Sequence, residues 1–340
     1  MLTQLAEAAL RSGGQVGLLF LDTINRHNPT PAFGQIEASS PCYAVPLLGH
    51  EACVLGAVNL GHMVRAQASG VAVDWQRLER TVRLGIRFLD DVLEVGRWPT
   101  SWVASMVRAN RKVGLGVMGF ADLLIELGIP YGSPQSVTLA DSLMSAIAAE
   151  AQAASQQLGR ERGVFPGHSH SVYARAELRL RNATRLAIAP AASISVIAGV
   201  APGIEPLGAL AHYGAAGLNG KGGTVPHPIL VRHAERAGLS EARLREELAA
   251  GALTDSGSLP TALRELFRTA PQIHPHDHLA IQAAFQKHVD NAVAKQIYMP
   301  VTATPRDLAV LYRRAWELGC KGLQLRRAAY QGPPATGAAT

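Results

Sequence analysis

Residues 36–60 read "IEASSPCYAVPLLGHEACVLGAVNL", and the two halves of this stretch have opposite characters. The first half is broken by Pro41 and Pro46, and the preceding "NRHNPTPAFGQ" (25–35) adds Pro29 and Pro31. A proline fixes φ near −65° and has no N–H to donate, so this density excludes a helix or a central strand. Cys42 therefore belongs to a loop. The second half, "ACVLGAVNL" (52–60), is a short apolar run bounded by turn residues, the pattern of a buried strand. Cys53 falls on it. Ten residues separate the two cysteines, too many for the chemistry of a C-x-x-C pair.

Working outward, "VGLLFLDTI" (16–24) is a second apolar run and reads as a strand. "DWQRLERTVRLGIRFLDDVLEV" (74–95) has apolar residues at helical spacing behind Asp74, a suitable N-cap. "GLGVMGFADLLIELGI" (114–129) opens glycine-rich and continues as a helix, and "DSLMSAIAAEAQAASQQLGRERG" (141–163) is an alanine-rich helix closing on Gly163. "RLAIAPAASISVIAGVAPGIEP" (185–206) reads as strand, turn and short element. The glycine-rich "HYGAAGLNGKGGTVPHP" (212–228) reads as a flexible insert. Two amphipathic helices, 277–297 and 305–320, precede a last strand "KGLQLRRA" (321–328) and a disordered tail at 331–340. Strands alternating with helices predict an α/β fold with a parallel sheet or barrel.

With 340 residues, 48% hydrophobic and 17% charged, the chain has the composition of a soluble globular protein. No run is long enough for a membrane span and the first residues lack signal-peptide order, so a cytoplasmic location and no membrane partner are expected. The formal charge of +6 is spread over helix-like segments such as "RLERTVRLGIR" (77–87) and "RANRK" (108–112), which read as solvated faces. No nucleic-acid-binding pattern accompanies them, and an anionic small substrate fits the same charge. Three cysteines make no disulfide framework. Cys320 reads as a core residue, Cys53 is equally a core residue or a functional one, and Cys42, displayed on a proline-flanked loop, reads as reactive. His274, His276 and His278 alternate in "HPHDH", but Asp277 reads as a helix cap, so the histidines decorate a helix start and no metal site is expected. "GLGVMG" lacks the context of a dinucleotide fingerprint. The turn "APAASIS" (189–195) is a better anion site, with Ser193 and Ser195 as hydroxyls and backbone N–H groups behind them.

Five blocks, "GLLFLDTINRHNPTP", "PCYAVPLLGHEACVLGAVNL", "RANRKVGLGVMGFADLLIELGIPY", "SISVIAGVAPGIEP" and "IQAAFQKHVDNAVAK…AWELGCKG", follow one another here. Their order resembles that of ribonucleotide reductase large chains, most closely the adenosylcobalamin-dependent class. The resemblance implies a ten-stranded α/β barrel of two half-barrels, residues 1–330 forming the second half, with a finger loop inside. It implies Cys42 at the thiyl position that takes the ribose 3′ hydrogen. Cys53 falls at the position of a redox pair that reduces the 2′ carbon. Ser39 and the turn Pro190, Ala191, Ala192, Ser193 and Ile194 fall at substrate-binding positions.

The same resemblance exposes departures. The family loop is N-P-C-G-E, whereas this chain has Ser40-Pro41-Cys42-Tyr43-Ala44. Ser40 replaces the Asn that bonds the ribose, Ala44 replaces the Glu that removes the 3′-OH proton, and Tyr43 adds bulk where substrate should approach. The phosphate turn is A-A-S-I-S against T-G-T-I-S. The cysteine that would pair with Cys53 belongs to the first half-barrel, outside this sequence. A ribonucleoside di- or triphosphate is the implied ligand and adenosylcobalamin the implied cofactor, though binding of the cofactor by this chain alone is not expected. The implied partner is a second copy or a complementary reductase chain. The expectation is a reductase-family chain inactive on its own; the alternatives are a half of a split enzyme, a paralogue that binds or regulates an intact reductase, and a decaying fragment.

Overall fold

A computed structural model describes residues 2–12, 17–68, 70–214, 223–249 and 260–327. Its sheet is a row of short segments laid side by side. Val54–Asn59 pairs in parallel with Val113–Met118, from Val54 opposite Val113 to Asn59 opposite Met118. On its other side Val113–Met118 meets residues 184–188, with Leu115 N–H donating to the Arg185 carbonyl at 2.8 Å. Ile188 then bridges in parallel to Val293. That segment runs on into Gln296–Met299, parallel to Gly322–Arg327, whose far edge takes Gly17–Leu19 antiparallel.

Parallel neighbours require crossovers, and helices supply them. Trp75–Val95, Pro134–Arg162, Pro275–Gln286 and Pro305–Glu317 connect successive parallel segments. Asp74 caps the first, accepting from Arg77 N–H, and its buried stripe Leu78, Val82, Ile86, Leu89 and Leu93 keeps helical spacing. Ser133 and Pro134 start the second ahead of Asp141, and Gly163, at φ +83°, ends it. Thr304 and Asp307 form a reciprocal capping box on the last. The main core lies between these helices and the sheet, where Phe120 meets Phe285 edge-on at 5.1 Å. The architecture is thus the expected α/β one.

Several boundaries differ from the sequence reading. Residues 113–118 form a fully buried strand rather than the lead-in to a helix. Gly114 and Gly116 alternate with Leu115 and Val117, so the glycines share one face and the apolar residues the other. Gly119, at φ +73°, then turns the chain into the helix Phe120–Glu126. The 277–297 helix stops at Gln286. Beyond it Asp290 accepts the N–H groups of Arg185 (2.8 Å) and Leu186 (3.2 Å), and Asn291 donates to the Leu186 carbonyl, drawing the chain into the sheet. "VGLLFLDTI" is a strand only over Gly17–Leu19, followed by the helix Leu21–Arg26. Part of the 212–228 insert is a hairpin of Ala211–Gly214 with Gly223–Pro226; residues 215–222 and the 331–340 tail lie outside the described residues.

Some of the arginines read as solvated faces form ion pairs within the chain. Arg83 and Arg87 pair with Glu150 and Glu161, tying Trp75–Val95 to Pro134–Arg162. Asp90, fully buried, accepts from Arg111 Nε (3.0 Å) and Nη2 (2.8 Å), from Arg162 (3.1 Å) and from Asn182 (3.0 Å). Among the described residues no helix is long and apolar enough to cross a membrane. Removing one member of a buried ion cluster strands the others without a counter-charge. Asp90→Ala is expected to lower the unfolding free energy by about 3–5 kcal/mol, read as a shifted urea midpoint.

Candidate functional site

Ala38–Ser39 and Pro46–Leu47 form a short antiparallel hairpin whose tip is residues 40–45. The tip is closed by its own backbone. Ser40 N–H donates to the Val45 carbonyl at 3.0 Å, Tyr43 N–H to the Ser40 carbonyl at 2.9 Å, and Val45 N–H to Ser40 Oγ at 3.2 Å. Tyr43 turns the chain at φ +66°. That left-handed conformation costs a residue with a Cβ about 1–2 kcal/mol. The tip is tied to the sheet through the Ala44 carbonyl, which accepts the Ala292 N–H at 2.9 Å.

Cys42 lies 3.2 Å from Ser40 Oγ, Sγ to oxygen, and packs on an apolar patch of Ala44, Val45, Ala187 and Ala294. Cys53 packs on the same patch, so the fold brings together the two cysteines of the opening stretch. Cys53 immediately precedes the Val54–Asn59 strand rather than lying within it, and it is half-buried, as Cys42 is. Burial pushes the Cys53 thiol up to about 12, with the Lys112 charge opposing and Glu51 adding to the shift. Cys320 is fully buried among Ala315 and Leu323, its thiol also pushed up to about 12 by burial, as a core residue should be. Ser39 Oγ, at the base of the tip, is buried and has no hydrogen-bond partner among the described residues.

The turn Pro190–Ile194 is open. Pro190, Ala192, Ser193 and Ile194 are exposed, and Ala191 at φ +54° precedes the short helix Ala192–Ala198. Ser195 does not offer the hydroxyl expected of it: it is buried and donates to the Ala192 carbonyl at 2.8 Å. Ser193 is left as the free hydroxyl of the turn. The three histidines do not converge. His274, not Asp277, caps Pro275–Gln286 and its ring stacks on His276, while His278 is buried against the Ala270 carbonyl, its pKa pushed down to about 2 by burial and Lys295. Among the described residues no three metal-ligating side chains gather.

Three buried lysines escaped the sequence reading. Lys112 bonds Glu51 at 2.6 Å, with Asn110 on the other carboxylate oxygen. Lys295 bonds Glu205 at 2.8 Å above the Tyr131 ring. Lys321 donates to the carbonyls of Asp290 and Asn291, and burial brings its pKa down to about 8, against the pull of Asp290. The available signal was position: each lysine stands at the head of an apolar strand, in "RKVGLG", "AKQIYM" and "CKGLQL".

Two expectations follow from this geometry. Ala191→Gly removes a Cβ from a left-handed position and should raise stability by about 0.5–1 kcal/mol after glycine's entropic cost, seen as a higher thermal midpoint. At pH 8 a thiol of pKa about 12 is ionised roughly once in ten thousand molecules. Alkylation of the native chain followed by peptide mapping should therefore label Cys42 ahead of Cys53 and Cys320; equal rates would contradict the raised thiols of the last two.

Comparison with known proteins agrees with this geometry. The profile of the ribonucleotide reductase barrel domain matches residues 1–180 and 179–325. A vitamin B12-dependent ribonucleoside-diphosphate reductase of Mycobacterium tuberculosis is 45% identical over 320 residues, covering 94% of this chain and 45% of that protein. A protein of the same description from Thermoplasma acidophilum is 40% identical, covering 92% of this chain and 40% of its own length. The chain thus spans less than half the length of these relatives. The class Id ribonucleotide reductase alpha subunit of Actinobacillus ureae superposes with a TM-score of 0.78 at 22% identity, over 96% of this chain and 60% of that one, a likeness of fold. With its hairpin tip set against a parallel α/β sheet, this chain belongs to the ribonucleotide reductase family, as a stretch of its barrel domain.

Proposed function

We propose that this chain binds a ribonucleotide in the manner of its family and does not reduce it unaided. Ala44 carries the reading. It is fully buried, its side chain is a methyl group, and its carbonyl is engaged by Ala292. Taking the 3′-OH proton requires an acceptor within hydrogen-bond reach, and the absence of one costs about a hundred- to ten-thousandfold in rate. Glu51, on the chain leaving the hairpin, is no substitute, because Lys112 and Asn110 hold both its oxygens.

The remaining positions keep part of the family chemistry. That Cys42 and Cys53 pack on one patch supports reading them as the radical and redox sulfurs, and the unpartnered Ser39 hydroxyl offers a group for a ribose oxygen. Ser193 and the exposed turn around it suit the phosphates. The relatives named vitamin B12-dependent point to adenosylcobalamin. Cys42 has Ser40 beside it and packs on Ala44, Val45, Ala187 and Ala294, groups too small and too poor in polar donors to hold a corrin with its amide fringe. They do not fit it. A second reading, attachment to another reductase chain, is favoured by Leu84 and Phe88, exposed at 67% and 63% on Trp75–Val95.

Incubation with a ribonucleoside diphosphate, adenosylcobalamin and a dithiol should give no deoxynucleotide above a protein-free blank. Calorimetric titration with the same nucleotide should show binding that Ser193→Ala weakens several-fold. Product above the blank would overturn the inactivity, and a flat titration would overturn the nucleotide reading and leave attachment to another chain.

A further inference from the structure

We propose that Tyr43 is the anchor of the hairpin tip, a positioning residue whose ring, seated on Gly17 and Gly322, fixes the place of the Cys42 thiol. The ring does not stand on the apolar patch that holds Cys42. It lies instead across the seam where Gly17–Leu19 pairs with Gly322–Arg327. A Cβ built on Gly17 would come within 2.7 Å of both Cζ and Oη of Tyr43, and one on Gly322 within 3.3 Å of Cδ1. The Tyr43 bulk is therefore turned to this seam.

The register explains the seat. Gly17 pairs with Gln324 and Gly322 with Leu19, so the two glycines lie diagonally on one face of the antiparallel pair. Neither has a positive φ. Glycine is not needed there for backbone freedom; what it supplies is a bare surface on which an aromatic ring can lie flat. Tyr43 itself does have a positive φ, a position that favours glycine, and it holds there with its side chain packed. Tyr312, buried on Pro305–Glu317, is pushed up to about 12 by burial and further by Tyr43, consistent with two phenols sharing this region.

Cys42 thus sits between two tethers. On one side the Tyr43 ring holds to the glycine seam; on the other the Ala44 carbonyl holds to Ala292. Ser40 Oγ, which bonds both Val45 N–H and the thiol, fixes the third direction. The inference stands apart from catalysis, since it concerns where the thiol is held.

The test is the iodoacetamide rate of Cys42 in the native full chain, with Cys320 as internal control. Gly17→Ala, which keeps the ring but fills its seat, and Tyr43→Ala, which removes it, should each raise the Cys42 rate at least fivefold and leave Cys320 protected. Tyr43→Phe, retaining the ring, should react as the parent does. In the double variant Gly17→Ala should add nothing to Tyr43→Ala, because the seat matters only through the ring. A role confined to general stability would raise both cysteines together and lower the thermal midpoint in proportion, and that result overturns the proposal. So does an unchanged Cys42 rate in folded Tyr43→Ala, or an additive double variant. Should Gly17→Ala fail to fold, Tyr43→Ala against Tyr43→Phe decides alone. No nucleotide enters the measurement, so its failure is separate from that of the binding reading.

Discussion

The close approach of Val113–Met118 to residues 184–188 is the constraint on which the site depends. A Cβ on Gly116 would overlap the Ala187 carbonyl oxygen, and one on Gly114 would stand 2.7 Å from the Ala187 Cβ. Only a strand bare on that face lets the third segment settle against the second. Ala187 then reaches the patch shared by Cys42 and Cys53, and the third segment is placed to receive Asp290 and Asn291 from the fourth. The same economy of side chains recurs at the other end of the row, where Gly17 and Gly322 leave room for Tyr43.

The buried lysines show what holds the ends of these short strands. Burying an ammonium group is unfavourable unless its charge and its N–H groups are met. Lys112 and Lys295 each meet a carboxylate, from Glu51 and Glu205, while Lys321 meets two main-chain carbonyls; burial lowers the pKa of Lys295 and of Lys321 alike. Glu51 belongs to the chain leaving the hairpin, and Lys112 heads the second strand. Their bond thus ties the returning arm of the loop to the sheet, as Ala44 and Ala292 tie its tip. Loop and sheet are one unit through polar contacts that no local pattern announces.

That explains which parts were legible in the sequence. Trp75–Val95 was visible because its cap and apolar stripe are local, and the proline-rich loop because proline acts on its own backbone, though the short hairpin within it was not. The alternation of Gly114 and Gly116 with Leu115 and Val117 was present but masked by glycine's usual meaning as a helix or turn signal. The end of the helix at Gln286 was not legible, since it depends on Asp290 reaching a strand more than a hundred residues away. Cys42 and Cys53 could be singled out by type and setting, but their common patch depends on Ala187 and Ala294. Ser195 was misread because its hydroxyl turns back on its own helix, a choice between two local acceptors that sequence does not fix.

The character of that patch bears on the kind of sulfur chemistry it supports. A nucleophilic cysteine needs its thiolate, and apolar surroundings disfavour charge, as the raised Cys53 thiol demonstrates. Transfer of a hydrogen atom creates no net charge on sulfur, so an apolar patch does not oppose it in the same way. Cys42 packs on a patch of alanines and valine with one neutral hydroxyl beside it, so those neighbours add no charge. Ala44 keeps to the same pattern, because a methyl group adds no charge to the patch. A methyl group also accepts no proton, so this position supplies no general base. The tip thus sets its thiol in uncharged surroundings and has only a methyl group at position 44.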